Sequence, residues 1–267
     1  MILMDYRIKE HLYNAKLTPE ENILLDHLYK LRMSGMAEAL EKQLMNPNTN
    51  LESFETRITD IIEAEWNQRY EKKFKSLLKD ATLKYPTADF DEALYEPDRK
   101  IDTHTIELLA KGDWLKGSKN LLITGAAGAG KTHVANALCI AALHQLHTVK
   151  YIRACVLINE ARAAYATDEP QKYINKMANY DLLAIDDFGL MPLDINQGRL
   201  LFEILESRDS RKPTMIISQI PVNKWWDLFA DNTYADAVLS RATGRAYRLD
   251  FPGRDMRHSS PARSTSK

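Results

Sequence analysis

Cysteine is nearly absent from these 267 residues, a long apolar run is missing altogether, and neither sign of charge prevails. The two thiols, Cys139 and Cys155, stand in apolar segments that read as helix and strand; this argues against a disulfide framework and fits buried thiols in a reducing compartment. No metal cluster is visible in the pattern of His, Cys, Asp and Glu. No stretch approaches the ~20 apolar residues of a membrane span. The opening "MILMDYRIKEHLYNAKL" is broken by charges every few residues, where a secretory leader needs an apolar core. A cytoplasmic protein without membrane contact is expected. With 36 Lys+Arg against 37 Asp+Glu the formal net charge is −1, so any contact with DNA must come from a local patch rather than a global basic field.

What is present is concentrated in "LLITGAAGAGKTHVANAL", an apolar run, a loop of small residues with one lysine, and an apolar pattern at helical spacing. Gly125, Gly128, Gly130, Lys131 and Thr132 match the phosphate-binding spacing G-x-x-x-x-G-K-[ST] in its strand-then-helix context. Small residues let backbone N–H groups wrap a polyphosphate. The helix N-terminus adds a positive dipole end, Lys131 reaches the outer phosphates, and Thr132 ligates Mg²⁺.

The chain divides by character. Up to about residue 85 the pattern is helical. Thr18, Pro19 and Glu21 form a capping-box start, and Thr49 with Glu52 reads as a second one. The second opens a long stripe through Phe54, Ile58, Ile61, Ile62, Trp66, Tyr70, Phe74, Leu77, Leu78 and Ala81. Its other faces carry Arg69, Lys72, Lys73, Lys75, Lys79 and Lys84. These fit a solvated helix face, or a basic strip on DNA phosphates if the other half implies DNA. Residues 86–100, with Pro86 and Pro97, read as a linker. From 101 to 257, short apolar strands alternate with helices, the mark of an α/β fold with a parallel sheet. Residues 258–267 are polar and Ser-rich and read as a disordered tail.

In "LLAIDDFG" a buried strand delivers Asp186 and Asp187 to its carboxyl end, where open parallel sheets bind ligands. Asp186 suits Mg²⁺ coordination, and Asp187 suits orientation of the water that attacks the terminal phosphate. "TMIISQI" would be another sheet strand, ending in the polar Ser218 and Gln219. "ADAVLSRATGRAYRLDF" reads as a helix with Arg241 and Arg245 at i and i+4 on one face; one of them would reach a neighbouring subunit's nucleotide, or form a salt bridge within its own chain.

The succession "GAAGAGKT", "LLAIDDFG", "IISQ", "AVLSR" looks like the AAA+ ATPases of the DnaA/DnaC branch. From about residue 20 to residue 257 the chain resembles the IstB-type family, ATP-binding helper proteins of insertion-sequence transposons. "LRMSGMAEAL", "IIEAEWNQRYEKKFKSLLKDATL" and "GRDMR" carry the likeness outside the phosphate loop and strands. The resemblance implies an AAA+ P-loop ATPase core behind an all-helical N-terminal domain with DNA, oligomer or partner contacts. ATP and Mg²⁺ would be held by Gly125, Ala126, Ala127, Gly128, Ala129, Gly130, Lys131, Thr132 and His133, with Asp186 on the metal and Asp187 as the acidic partner. Ser218 and Gln219 would stand as sensor 1, Arg241 as arginine finger and Arg257 as a sensor-2-like arginine. The family pattern is departed from at Asp187, where most AAA+ proteins have Glu, and at Gln219, where Asn is commoner; slow, DNA-stimulated hydrolysis is expected.

The implied activity is ATP-controlled homo-oligomerisation on duplex DNA without sequence specificity, and stimulation of a cognate transposase. Lys72, Lys73, Lys75 and Lys79, with Arg153 and Arg162 after the second core strand, are the DNA-contact candidates. A DnaC/DnaI-like helicase loader shares the ATPase core, and a small-molecule P-loop kinase shares the phosphate loop; the helix around Trp66–Lys84 argues against the first and the absence of an acceptor lid against the second.

Overall fold

Two compact units, residues 1–73 and 74–267, divide the chain. The computed structural model describes residues 16–90, 101–167 and 169–252. In the first unit, α1 (Pro19–Lys30) starts as its sequence indicates: Thr18 Oγ1 accepts the Glu21 N–H at 3.2 Å, and the Glu21 carboxylate accepts the Thr18 N–H at 2.8 Å. α2 (Ser34–Met45) packs on it around Leu17, Leu25 and Ala37.

The N-cap of α2, Met33, offers no side-chain acceptor. Glu65 of α3 (Phe54–Ala81) takes that place, accepting the Gly35 and Met36 N–H groups at 2.8 and 3.2 Å, an anion at the positive end of a helix. Glycine is required at 35, because a Cβ would stand 2.8 Å from the Ala64 carbonyl oxygen. Arg69 donates from Nε to Glu65 Oε1 at 2.5 Å and from Nη2 to the Arg32 carbonyl at 3.1 Å. Burial would raise the Glu65 carboxyl, but Arg69 and the two backbone donors outweigh it and hold it below its usual range.

Two expectations about α3 are corrected. Thr49 does not open it; Thr49 lies in a 3₁₀ turn, Pro47–Leu51, capped by Asn46, and α3 starts at Phe54 with Ser53 Oγ accepting the Thr56 N–H at 3.2 Å. Nor does the whole stripe face inward, since Ile61 is buried while Phe54, Ile62 and Trp66 are 72%, 54% and 70% exposed. Positions at four-residue steps drift by about 40° per step on a helix of 3.6 residues per turn, so a stripe counted that way leaves the packed face within a few turns. The division between the compact units falls inside α3, and Leu77 and Ala81 are buried in the core of the second unit.

That second unit is a parallel α/β sheet. β1 (Asn120–Gly125), β2 (Val149–Arg153), β3 (Leu182–Phe188), β4 (Thr214–Ser218) and β5 (Ala246–Phe251) run in the order β2-β3-β4-β1-β5, every neighbouring pair parallel. α4 (Thr103–Ala110) precedes the sheet; α5 (Lys131–His144), α6 (Ala154–Ala166) with α7 (Pro170–Asn179), α8 (Ile195–Arg208) and α9 (Asn232–Thr243) make the successive crossovers.

The strands alternate between two cores. Leu121, Ile123, Leu182, Ala184, Met215 and Ile217 pack on one face with Val134 and Leu138 of α5, while Leu122, Leu183, Ile185 and Ile216 pack on the other with Ile204 of α8. Burial on both faces is why these strands read as continuous apolar runs. Cys139 lies in α5 as expected, but Cys155 belongs to α6 rather than to a strand. β5 also departs from the sequence reading. α9 ends at Thr243 and residues 246–251 pair with β1, so Arg245 does not continue the helix and shares no helical face with Arg241.

Candidate nucleotide-binding site

A parallel sheet brings all its carboxyl ends to one edge. β4 lies between β1 and β3, so the loop after Gly125, the Asp186–Asp187 pair and Ser218 converge there. Gly125, Gly128 and Gly130 have φ of 142°, 75° and 90°, backbone that side chains other than glycine's rarely tolerate. A Cβ at Gly125 would also come within 2.3 Å of the Phe251 carbonyl oxygen on β5. The loop turns straight into α5, whose first residue, Lys131, is buried and donates from Nζ to the Ala126 carbonyl at 2.7 Å. Its ammonium thus lies across the curl of the loop.

Asp186 is 2% exposed and surrounded by donors. Oδ2 accepts the Thr132 hydroxyl at 3.0 Å and the Tyr151 phenol at shorter range, and Oδ1 accepts the Asp187 N–H at 2.7 Å. Burial, and then the bond to Asp186, push the Tyr151 phenol well above its usual range, so it stays a donor. Burial and the same carboxylate push up the thiol of Cys139, which is consistent with an inert core cysteine.

Asp187 has φ of 55°, in the left-handed region, and the ladder between β3 and β4 slips between Ile185 and Phe188. Asp and Asn tolerate this conformation better than other side-chain-bearing residues, and strain of this kind is concentrated at functional sites.

The other expected residues are spread more widely. Ser218 Oγ is buried, donating to the Phe188 carbonyl at 2.7 Å and accepting the Ile220 N–H at 3.0 Å, so it ties β4 to the end of β3; Gln219 is exposed just beyond. His133 stands 3.0 Å from the Asp89 carbonyl, its ring N–H donating. Arg257 lies outside the described residues, as do residues 91–100 of the linker and the tail at 258–267.

Arg241 is held on α9 by an ion pair from Nε to Glu206, by Nη1 to the Ala237 carbonyl at 3.0 Å, and by the Phe202 ring 4.6 Å beneath its guanidinium. Its own carbonyl accepts from Asn120 at 2.8 Å, at the amino end of β1. One strand length, roughly 17 Å, therefore separates this backbone from the phosphate loop of the same chain. Arg245 is exposed, and its carbonyl accepts the Asn120 N–H at 2.8 Å. Lys72, Lys73, Lys75 and Lys79 are exposed along α3, and Arg153 and Arg162 are exposed at the end of β2 and on α6.

Two residues at the site escaped sequence reasoning. Tyr151 reaches Asp186 from the neighbouring strand. Asn136, fully buried on α5, donates to the Thr132 carbonyl at 2.7 Å and accepts the Tyr85 N–H at 3.1 Å, so it joins the segment after α3 to the phosphate-loop helix. A buried Asn one helical turn past the Thr of the motif was the available signal; for Tyr151 there was none.

Two oxygens, Thr132 Oγ1 and Asp186 Oδ2, converge beside the phosphate loop, and no cluster of three His, Cys, Asp or Glu side chains suited to a metal occurs among the described residues. A divalent ion would rest on one carboxylate, one hydroxyl and oxygens from phosphate and water, the habit of Mg²⁺. No helix among the described residues is long and apolar enough to cross a membrane.

The chain is similar to several known proteins. A protein of Sinorhizobium fredii named as an insertion-sequence ATP-binding protein is 33% identical over 233 residues, covering 87% of this chain and 94% of its own length. The ATP-binding protein of insertion sequence IS1162 in Pseudomonas fluorescens is 34% identical over 197 residues, covering 74% and 85%. The crystal structure of the DnaC helicase loader aligns over 62% of this chain and 98% of its own with a TM-score of 0.54 at 22% identity, a likeness of fold. The sequence model of the IstB-like ATP binding proteins matches residues 26–264. The chain belongs to the IstB-like ATP-binding family of IS21-type insertion sequences, built on an AAA+ P-loop fold.

Proposed function

We propose that this protein is an ATP-dependent regulator of DNA transposition. With ATP and Mg²⁺ bound it assembles with further copies of itself on duplex DNA, without reading sequence, and stimulates a partner transposase. Hydrolysis to ADP and phosphate, slow and quickened by DNA, limits the life of that assembly. The observation that supports this most is the meeting of the phosphate loop, Lys131, Thr132, Asp186 and Asp187 at one edge of the sheet.

In this reading Gly125, Ala126, Ala127, Gly128, Ala129 and Gly130 cradle the phosphates with backbone N–H groups, beside the first turn of α5 with His133. Lys131 exchanges its carbonyl partner for phosphate oxygen. Thr132 and Asp186 hold Mg²⁺, which when bound neutralises charge developing on the phosphates. Asp187 orients the attacking water, with Gln219 near the terminal phosphate. Its side chain is one methylene shorter than glutamate, which supports a slow step. Arg241 serves the nucleotide of the adjacent subunit, a role suggested by its distance from its own loop, and Arg257 completes the nucleotide contacts.

For DNA, a near-neutral chain must gather cations locally, and an oligomer repeats each patch into a track whose weak contacts act together. Lys72, Lys73, Lys75 and Lys79 are the candidates on α3, with Arg153 and Arg162 on the second unit. Arg153 is the register partner of Asp186 across β2 and β3, which gives phosphate contact there a short route to the nucleotide site.

Release of ADP and phosphate, followed with and without duplex DNA of unrelated sequences, tests the reading. Equal stimulation by all of them, with no phosphorylated small product, supports it. Hydrolysis indifferent to DNA would contradict it.

A further inference from the structure

Asp186 is buried and accepts three hydrogen bonds, and one of its three donors comes from outside both nucleotide motifs. Tyr151 lies on β2 with its backbone in register with Ala184, two residues before Asp186 on β3. Residues two apart on a strand share a face, and a cross-strand diagonal is within reach of a long aromatic side chain. The phenol therefore runs along the sheet surface to Asp186 Oδ2. Its ring is 5% exposed and packed in the same core as Leu182, Ala184 and Cys139.

We infer that Tyr151 is a positioning residue for the divalent-cation site: its hydroxyl fixes the rotation of the Asp186 carboxylate so that the Thr132 and Asp186 oxygens meet the cation together. The inference rests on the ATP and Mg²⁺ reading above. Thr132 and Tyr151 share Oδ2, while Oδ1 is held by the Asp187 N–H at 2.7 Å. When Thr132 turns a lone pair to a cation, it keeps its proton on Asp186 only if Oδ2 stays where it is. Without the phenol, Oδ2 loses its one donor independent of the loop, and the Asp187 N–H on Oδ1 is left as the one restraint outside the loop on rotation about the Cβ–Cγ bond. The cation then pays for ordering that the wild-type site has already made.

The experiment uses the full chain and a fluorescent ATP analogue, with dissociation constants measured in Mg²⁺ and in EDTA. The ratio of the two reports how strongly cation and nucleotide assist one another, and it needs no turnover. Tyr151→Phe keeps the ring and removes the donor. Its affinity in EDTA should stay within about twofold of wild type, while the ratio falls about fivefold to tenfold. In an Asp186→Asn background, Tyr151→Phe should change the ratio no further, because the phenol acts through that carboxylate. A wild-type ratio in Tyr151→Phe, an equal loss in Mg²⁺ and EDTA, or a Tyr151→Phe chain that does not fold would overturn the inference and leave Tyr151 a packing residue. A wild-type chain that binds the analogue equally well with and without Mg²⁺ would overturn the cation reading itself, and is recognised before any variant is made.

Discussion

Replacing Arg241 by alanine should separate stability from catalysis by a wide margin. Within its own chain the guanidinium is 26% exposed and pairs with a Glu206 carboxylate that is 51% exposed. Such pairs contribute at most about 1 kcal/mol, and the guanidinium over the Phe202 ring adds about 0.5–1 kcal/mol at a site this open. The carbonyl groups that order α9 against β1 are backbone and survive the change. Arg241→Ala should therefore fold, lose about 1–2 kcal/mol of stability, and bind ATP normally. Hydrolysis by the assembled protein should fall on the order of 10³-fold or more, the range for an arginine that meets the transferring phosphate from outside. Melting and nucleotide titration establish the first half. Mixing establishes the second: Lys131→Ala subunits should lose nucleotide but keep Arg241, so adding them to Arg241→Ala subunits should restore part of the turnover at shared boundaries. Mixed assemblies that form and show no recovery would refute action across subunits.

Asp187→Asn should bind ATP like wild type and hydrolyse it at least 10²-fold more slowly, because Asn tolerates the φ of 55° at this position but cannot attract a proton from water; turnover at the wild-type rate would remove Asp187 from the mechanism. Arg208, 1% exposed, donates to the carbonyls of Met177, Tyr180 and Pro213 at 2.6, 2.8 and 2.6 Å, and burial pushes its guanidinium down to about 10. Arg208→Met should cost about 3 kcal/mol in denaturant melts, since the carbonyls left without a donor outweigh the relief from burying a charge. Asp181 would be raised by burial, yet the Thr148 N–H and the Lys212 ammonium draw it down to about 2. A carboxyl whose folded value is depressed stabilises the fold above its unfolded value of 3.8 and loses that contribution as pH falls toward 2, so Asp181→Asn should flatten the acid limb of a stability profile between those limits.

The phosphate loop and the aspartate strand were legible because their chemistry is local. Glycines at fixed spacing, a lysine and a threonine at a helix start, and apolar strands buried on both faces leave their pattern in consecutive residues. The first capping box was legible for the same reason. The errors arose where distant pairing overrode a local pattern. Residues 246–251 join β1 as a parallel partner, and that interaction ends α9 at Thr243 against the helical spacing of Arg241 and Arg245. Asn46 and Pro47 divert Thr49 into a 3₁₀ turn, so Ser53 caps α3. Periodicity along α3 reported amphipathicity but not which turns find a partner, and Phe54, Ile62 and Trp66 remain exposed. Tyr151 was invisible because its role depends on which strand lies beside β3.

The central claim is that nucleotide at the Lys131 site controls assembly on DNA through phosphate contacts. Affinity for duplexes of unrelated sequence, measured across a salt series with and without ATP, tests it most directly. Wild type should bind all duplexes alike, tighter with ATP, with affinity falling steeply as salt rises. Lys131→Ala should lose the ATP effect, and joint replacement of Lys72, Lys73 and Lys75 by Glu should lower both affinity and salt slope while ATP-driven assembly persists. DNA affinity that is the same with and without ATP in the wild-type protein would contradict the account.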